Sequence, residues 1–170
     1  MSSPDLDSRT LYAMASISEA EVDLAAFFAD LVRCETRLYN ALNDRLRERH
    51  GIVTSQFEAL RFLADHPGAR VADLAAEFAI GIGATSKGID RLELKGWVVR
   101  QPNPADRRSS LLALTRDGSK LIKAARKTVA DELAELLGGA LDLRSTRAAG
   151  RALTTLRSAL ERDQVGTPTG

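Results

Sequence analysis

The chain has 170 residues, 28% of them charged and 44% hydrophobic, a composition suited to one soluble folded domain and not to a disordered segment. A single cysteine excludes a disulfide framework and a multi-cysteine zinc site. His50 and His66 stand in separate segments without a carboxylate cluster at ligand spacing, so neither a metal nor a cofactor is expected. The formal net charge of +1 does not by itself mark a nucleic-acid binder.

The distribution of charge says more. Between Gly81 and Arg116 stand Lys87, Arg91, Lys95, Arg100, Arg107, Arg108 and Arg116 against Asp90, Glu93 and Asp106. Seven bases and three acids leave +4 there, while the other 17 basic and 20 acidic residues leave −3. One short segment therefore carries the basic excess, as a local electrostatic footprint does. The first twenty residues hold Asp5, Asp7 and Glu19 without a basic start and apolar block, so no secretory signal is expected. No apolar run approaches the roughly 18 to 20 residues of a membrane span. A cytoplasmic protein is expected.

In chain order, Ser18 and Glu21 match a capping box that opens a long helix. Leu24, Phe28, Leu31, Leu38, Leu42 and Leu46 recur at steps of three, four or seven, one apolar stripe ending near Gly51. A short leading helix around Leu11–Met14 is expected before it. A second box, Ser55 with Glu58, opens a helix that buries Phe57, Leu60 and Leu63 and stops at His66-Pro67-Gly68. A short helix from about Ala72 to Ala79, burying Leu74, Ala75 and Phe78, leads through Gly81-Ile82-Gly83 to another from about Ala84 to Lys95. Helix, glycine-bearing turn and helix form the helix-turn-helix pattern.

The period then changes. Trp97–Arg100 and Leu111–Leu114 are β-like runs around a ten-residue tip rich in Pro, Asn, Ser and Arg, a hairpin placed as a wing. Thr115 caps a helix running to about Leu137. Gly138-Gly139 interrupts the pattern, and Asp142 caps a last helix with Ala149, Leu153, Leu156 and Leu160 on one face. The expected fold is mainly α with a small β wing. Residues 51–115 form a winged helix-turn-helix lobe, 18–50 and 116–163 a helical dimerisation region, and 1–17 and 164–170 flexible ends.

Ile89-Asp90-Arg91-Leu92-Glu93-Leu94-Lys95-Gly96-Trp97-Val98, Pro102-Asn103-Pro104-Ala105-Asp106-Arg107-Arg108 and Leu112-Ala113-Leu114-Thr115, in that order and spacing, closely resemble the MarR family of bacterial transcription regulators. Ser55-Gln56-Phe57 and Asp73-Leu74-Ala75 add weaker matches, so the resemblance spans about residues 24–160. Two places depart from the family pattern. Ile80-Gly81-Ile82-Gly83 stands where a serine-containing turn is usual, and Arg70-Val71-Ala72 stands where the third helix usually has a serine or threonine.

A helix that reads DNA must present donors from its first turns to base edges and phosphates, and Thr85, Ser86 and Lys87 stand there. Arg108 matches the family's wing-tip arginine, which enters the minor groove, where negative potential attracts a guanidinium. Asp106 is expected to hold the wing through an ion pair with Arg91, also by resemblance. Arg107 either contacts a backbone phosphate or stands as a solvated charge in the loop. Cys34 falls on the apolar stripe of the first helix and reads as a small buried hydrophobe, not a redox sensor. Trp97 reads as core at the helix–wing junction, His50 as a favourable residue near a helix C-terminus, and His66 as a surface residue in a turn.

The resemblance implies a homodimeric repressor of transcription on double-stranded DNA, reading a pseudo-palindromic operator. It also implies control by a small anionic aromatic effector. No motif identifies a ligand pocket. Arg33, Arg37 and Arg61 could supply a cationic counterpart but read more simply as solvated helix charges. The alternative is a dimeric helical module that binds a ligand or protein and has lost operator binding, for which the glycine-substituted helix start speaks. No nucleophile-base-acid set or phosphate loop stands out, and an enzyme is not expected.

Overall fold

A computed structural model describes residues 23–168. The expected capping box at Ser18, the short helix around Leu11–Met14 and the segment 1–17 lie outside the described residues. In order stand α1 (Leu24–His50), α2 (Thr54–Asp65), α3 (Val71–Glu77), α4 (Ile82–Leu94), β1 (Val98–Pro102), β2 (Ser110–Leu114), α5 (Arg116–Gly138) and α6 (Leu143–Arg162). Among the described residues the fold is mostly helical with one two-stranded antiparallel sheet. None of these helices is long and apolar enough to cross a membrane. Contacts divide the chain into two units, Met1–Leu38 and Tyr39–Gly170.

In the second unit, Leu46, Ile52, Phe57, Leu60, Leu63, Leu74, Ile89, Leu92, Val98, Leu112, Ile122 and Ala125 are buried in one cluster. Each large aliphatic side chain so buried contributes about 1.5–3 kcal/mol. Every element from the end of α1 to α5 gives a residue to this core, and Trp97 packs against it from the helix–wing junction. Val98 pairs with Leu114 and Pro102 with Ser110, so β1 runs two residues beyond its expected end and the wing tip shortens to seven residues. The Leu112 N–H donates to the Ala69 carbonyl at 2.8 Å, tying the wing to the segment before α3.

Helix starts differ from the expected ones for local reasons. At α2, Gln56 Oε1 accepts the Val53 N–H at 3.1 Å, so the helix begins at Thr54, one residue before Ser55. Glu58 is engaged elsewhere, with Arg61 at 2.6 Å. Thr54 is buried, its N–H on Asn43 Oδ1 and its hydroxyl donating to the Tyr39 carbonyl. At α3, the Asp73 carboxylate accepts the Arg70 N–H at 2.7 Å and satisfies the turn without a serine.

The turn between α3 and α4 also differs in its chemistry. Gly81 has φ −62°, which any residue adopts, and is the N-cap of α4. The left-handed residue is Ala79, at φ 49°, where the Ile80 N–H reaches back to the Ala75 carbonyl at 3.0 Å. The chain reverses on an alanine, and its glycines serve the face beyond. Further on, Thr115 accepts the Gly118 N–H at 3.0 Å and Asp142 the Ser145 N–H at 2.7 Å, as their capping positions predict. The chain after α6 continues as a turn in which the Val165 N–H donates to the Leu160 carbonyl.

Candidate nucleic-acid interface

Helix α4 buries Thr85, Ile89 and Leu92 and turns the opposite face outward. This corrects the expectation for Thr85. It is only 6% exposed, and its hydroxyl donates to the Gly81 carbonyl at 3.1 Å, so it closes the helix start from within and has no free donor to offer a base. Ser86 is half-buried, and Lys87 is exposed. Among the described residues Lys87 carries no ion pair.

The wing tip organises itself. Asn103 Oδ1 accepts the Ala105 N–H at 3.0 Å, its amide donates to Ser109 Oγ at 2.8 Å, and Ser109 N–H returns to the Asp106 carbonyl. Asp106 Oδ1 accepts the Arg108 N–H at 2.9 Å. These are Asx turns, in which a short polar side chain bonds backbone two residues on. Arg107 and Arg108 are exposed, and among the described residues neither carries an ion pair.

The expected pair of Asp106 with Arg91 does not form among the described residues. Asp106 is spent on the backbone of its own turn. The tie between α4 and the wing is Arg100 on β1, whose guanidinium meets Asp90 at 2.6 Å and also Glu93, both on α4. Partial burial pulls the Arg100 pKa down, but the hydrogen bonds it donates to Asp90 and Glu93 more than offset this and the net direction is up. The sequence carried a signal for this. Two carboxylates three residues apart on one helix face, followed by an arginine on the next strand, form a bridge once the strand folds back.

The cationic candidates on the helices separate. Arg61 is held by Glu58, and Arg33 lies 3.4 Å from Asp30, so both have local partners. Arg37 is exposed on α1. A shallow groove of about 690 Å³ between the end of α1 and α5 is instead lined by Arg49, His50, Lys120, Lys123, Lys127, Thr128 and Asp131, with Lys127 paired to Asp131 at 2.7 Å and Lys120 3.7 Å from Asp117. His50 Nε2 stands 2.8 Å from Thr128 Oγ1 at its wall. The sequence reading missed this group because its members are 70 residues apart. His66 is exposed, its ring stacked on Phe62 with centroids 4.2 Å apart and Nδ1 3.0 Å from the Phe62 carbonyl.

Cys34 is exposed, contrary to its place on the expected buried stripe. On the expected stripe Leu24 and Phe28 are open to solvent, as is Phe27 beside them, and Leu31 and Leu38 on either side of Cys34 are half-buried. Helix α6 is bare as well. None of its residues is buried, and Leu153, Leu156 and Leu160 are 46%, 40% and 40% exposed.

Comparison with known proteins places this geometry. A family model described as MarR family matches residues 50–109. The multiple antibiotic resistance protein MarR of Escherichia coli (strain K12) is 30% identical over 100 residues, which are 56% of this chain and 69% of that protein. The HTH-type transcriptional regulator ML2140 of Mycobacterium leprae (strain TN) is 30% identical over 113 residues, 66% of this chain and 78% of that protein. In fold, the chain resembles Sco3205, a MarR family transcriptional regulator from Streptomyces coelicolor solved in complex with DNA. The TM-score is 0.76 at 22% identity, covering 85% of this chain and 91% of that one.

Proposed function

Because the chain belongs to the MarR family of transcriptional regulators, we propose that it is a homodimeric, cytoplasmic repressor that reads a pseudo-palindromic operator. Each subunit sets α4 in one major groove, with half-sites about one helical turn apart. Ser86 and Lys87 supply donors from α4, Arg107 meets a phosphate, and Arg108 enters the adjoining minor groove. The observation that carries this reading is the set of exposed cations Lys87, Arg107 and Arg108, without an ion pair among the described residues, within a segment of +4. A cation without a carboxylate partner is available to a phosphate.

The apolar stripe of α6 supports the second copy, which would cover it. Exposed Leu24, Phe27 and Phe28 on α1 give the same support independently. Residues 116–163 and the first helix thus serve association, and 51–115 serves DNA. For control, the groove beside His50, where Arg49 and Lys123 carry no ion pair among the described residues, suits a small anionic, aromatic effector. Such a ligand shifts DNA affinity only by its differential affinity for two arrangements of the dimer, typically about 1–3 kcal/mol of coupling. The second reading, a module without operator binding, is favoured by the lack of an outward hydroxyl in the first turn of α4.

Anisotropy titration against the DNA upstream of its own gene, beside a scrambled duplex at two salt concentrations, separates the two. The regulator binds the native fragment about 10³-fold tighter or more. Arg108→Ala weakens binding and lowers the salt slope by about one. Unchanged binding removes Arg108 from the interface, and equal, salt-erased binding to both duplexes favours the module.

A further inference from the structure

The first turn of α4 presents no polar side chain outward. Of Ile82, Gly83, Ala84 and Thr85, the threonine is turned into the core with its hydroxyl on Gly81. Gly83 has open space where a side chain would stand, and Ala84 is exposed with one methyl. Ile82 remains, 62% exposed, behind an N-cap glycine at which a side chain would likewise meet open space. An isoleucine in water at the head of a helix, flanked by glycines and followed by Ser86 and Lys87, asks for an apolar partner.

In a major groove the partners are few. Base edges present hydrogen-bond donors and acceptors, and thymine alone among the four standard bases adds a C5-methyl. A branched hydrocarbon set against a donor or acceptor strips its water and returns no hydrogen bond, which is unfavourable. Against a thymine methyl it buries apolar surface on both sides. The small Gly83 and Ala84 let the helix backbone come close to the bases, so a side chain of short reach suffices.

We infer that Ile82 is a specificity-determining residue whose side chain packs on the C5-methyl of one thymine in each operator half-site, selecting T·A there. The inference rests on the reading of α4 as the helix that enters the major groove. It also gives the missing outward hydroxyl a different meaning: the first turn reads hydrocarbon in place of hydrogen bonds.

The experiment selects bound duplexes from a random pool with the full chain, then replaces each thymine of the enriched sequence in turn by deoxyuridine, which lacks only the methyl. One thymine per half-site is expected whose replacement weakens binding about fourfold, the worth of one buried methyl group. Ile82→Ala binds the thymine and deoxyuridine duplexes alike, with an unchanged salt slope because no phosphate contact is lost. Ile80→Ala, two residues earlier and also exposed, keeps the fourfold ratio. An enriched sequence that is indifferent to methyl loss at every thymine overturns the inference and leaves operator binding standing. Sensitivity that survives Ile82→Ala, or vanishes with Ile80→Ala, overturns the assignment to Ile82. A pool from which nothing is enriched overturns the inference and the DNA-reading function together. The deoxyuridine arm uses the wild-type protein, so it does not depend on how any variant folds.

Discussion

Helices α4 and α6 carry apolar residues at the same spacing and meet different fates. On α4, Ile89 and Leu92 are sealed in the core with Leu74 of α3 and Val98 of β1. On α6, Leu153, Leu156 and Leu160 form an equally regular stripe, and no residue of that helix is buried. The pattern is not what separates them. Helix α4 has α3 and β1 packed opposite, whereas among the described residues Leu153, Leu156 and Leu160 of α6 are left 46%, 40% and 40% exposed. An amphipathic sequence states that a face wants burial, and it does not say which molecule provides the cover. The core built from the end of α1 through α5 closes within one chain, whereas the exposed stripe of α6 is one that the proposed second copy would complete.

The largest expected effect tests whether that core stands on its own. Gly118 lies in the first turn of α5 against the Trp97 backbone, and a side chain there would overlap the Trp97 carbonyl. Gly118→Ala must shift backbone that also carries the Thr115 cap, and should cost about 3 kcal/mol in denaturant unfolding. That loss should not vary with protein concentration. A loss that disappears at high concentration would mean that the lobe leans on its partner after all.

The next variant does the reverse. Leu156→Glu places a carboxylate on the bare stripe of α6, and should weaken association about a hundredfold, since a charge buried without a partner is strongly unfavourable. Sedimentation at micromolar concentration should then show a monomer, with the unfolding of the lobe little changed. A dimer that survives the substitution would break the comparison.

A smaller effect is expected at the join of α4 and the wing. Arg100 is a quarter exposed and bridges Asp90 and Glu93. Arg100→Ala should cost about 1 kcal/mol of stability. It should also loosen the wing enough to weaken DNA binding, read by anisotropy beside the melt. Stability lost without any change in DNA binding would mean that the wing holds its place through its own turns.

The smallest effect is a matter of pH. The backbone N–H of Arg70 and then its guanidinium hold Asp73 below the usual carboxylate range, and the Ser145 N–H does the same for Asp142. A carboxylate with a depressed pKa in the folded state lends stability above its unfolded pKa and loses it as pH falls through the folded one. Stability should therefore decline on the acid side, below about pH 5. Asp73→Asn should make that decline shallower in the lobe. Asp142→Asn should do so only if α6 unfolds together with the lobe, so a melt series of both variants measures how far the two regions are coupled.

Much of the architecture was legible in the chain, because helices and hairpins are decided over a few residues. The steps of three and four, the caps at Thr115 and Asp142 and the hairpin after Trp97 are all local and stand where the pattern places them, although β1 runs on to Pro102 and shortens the wing tip. The order of elements followed, as did the family resemblance, which is carried by contiguous blocks. Competing local partners moved some helix starts by a residue or two. Gln56 served where Glu58 was expected because Glu58 had Arg61 within reach.

Partnership at a distance was not legible. That Thr85 faces the core, that Asp106 turns to its own loop while Arg100 bridges to α4, and that Arg49 and His50 meet the lysines of α5 depend on where elements far apart in sequence come to rest. The sequence by itself determined which segments are helix or strand and which faces are apolar, since both follow from backbone geometry and side-chain spacing. Only the tertiary structure decided which polar groups spend their hydrogen bonds inside the molecule and which remain open, because a side chain is free or occupied according to what lies across from it.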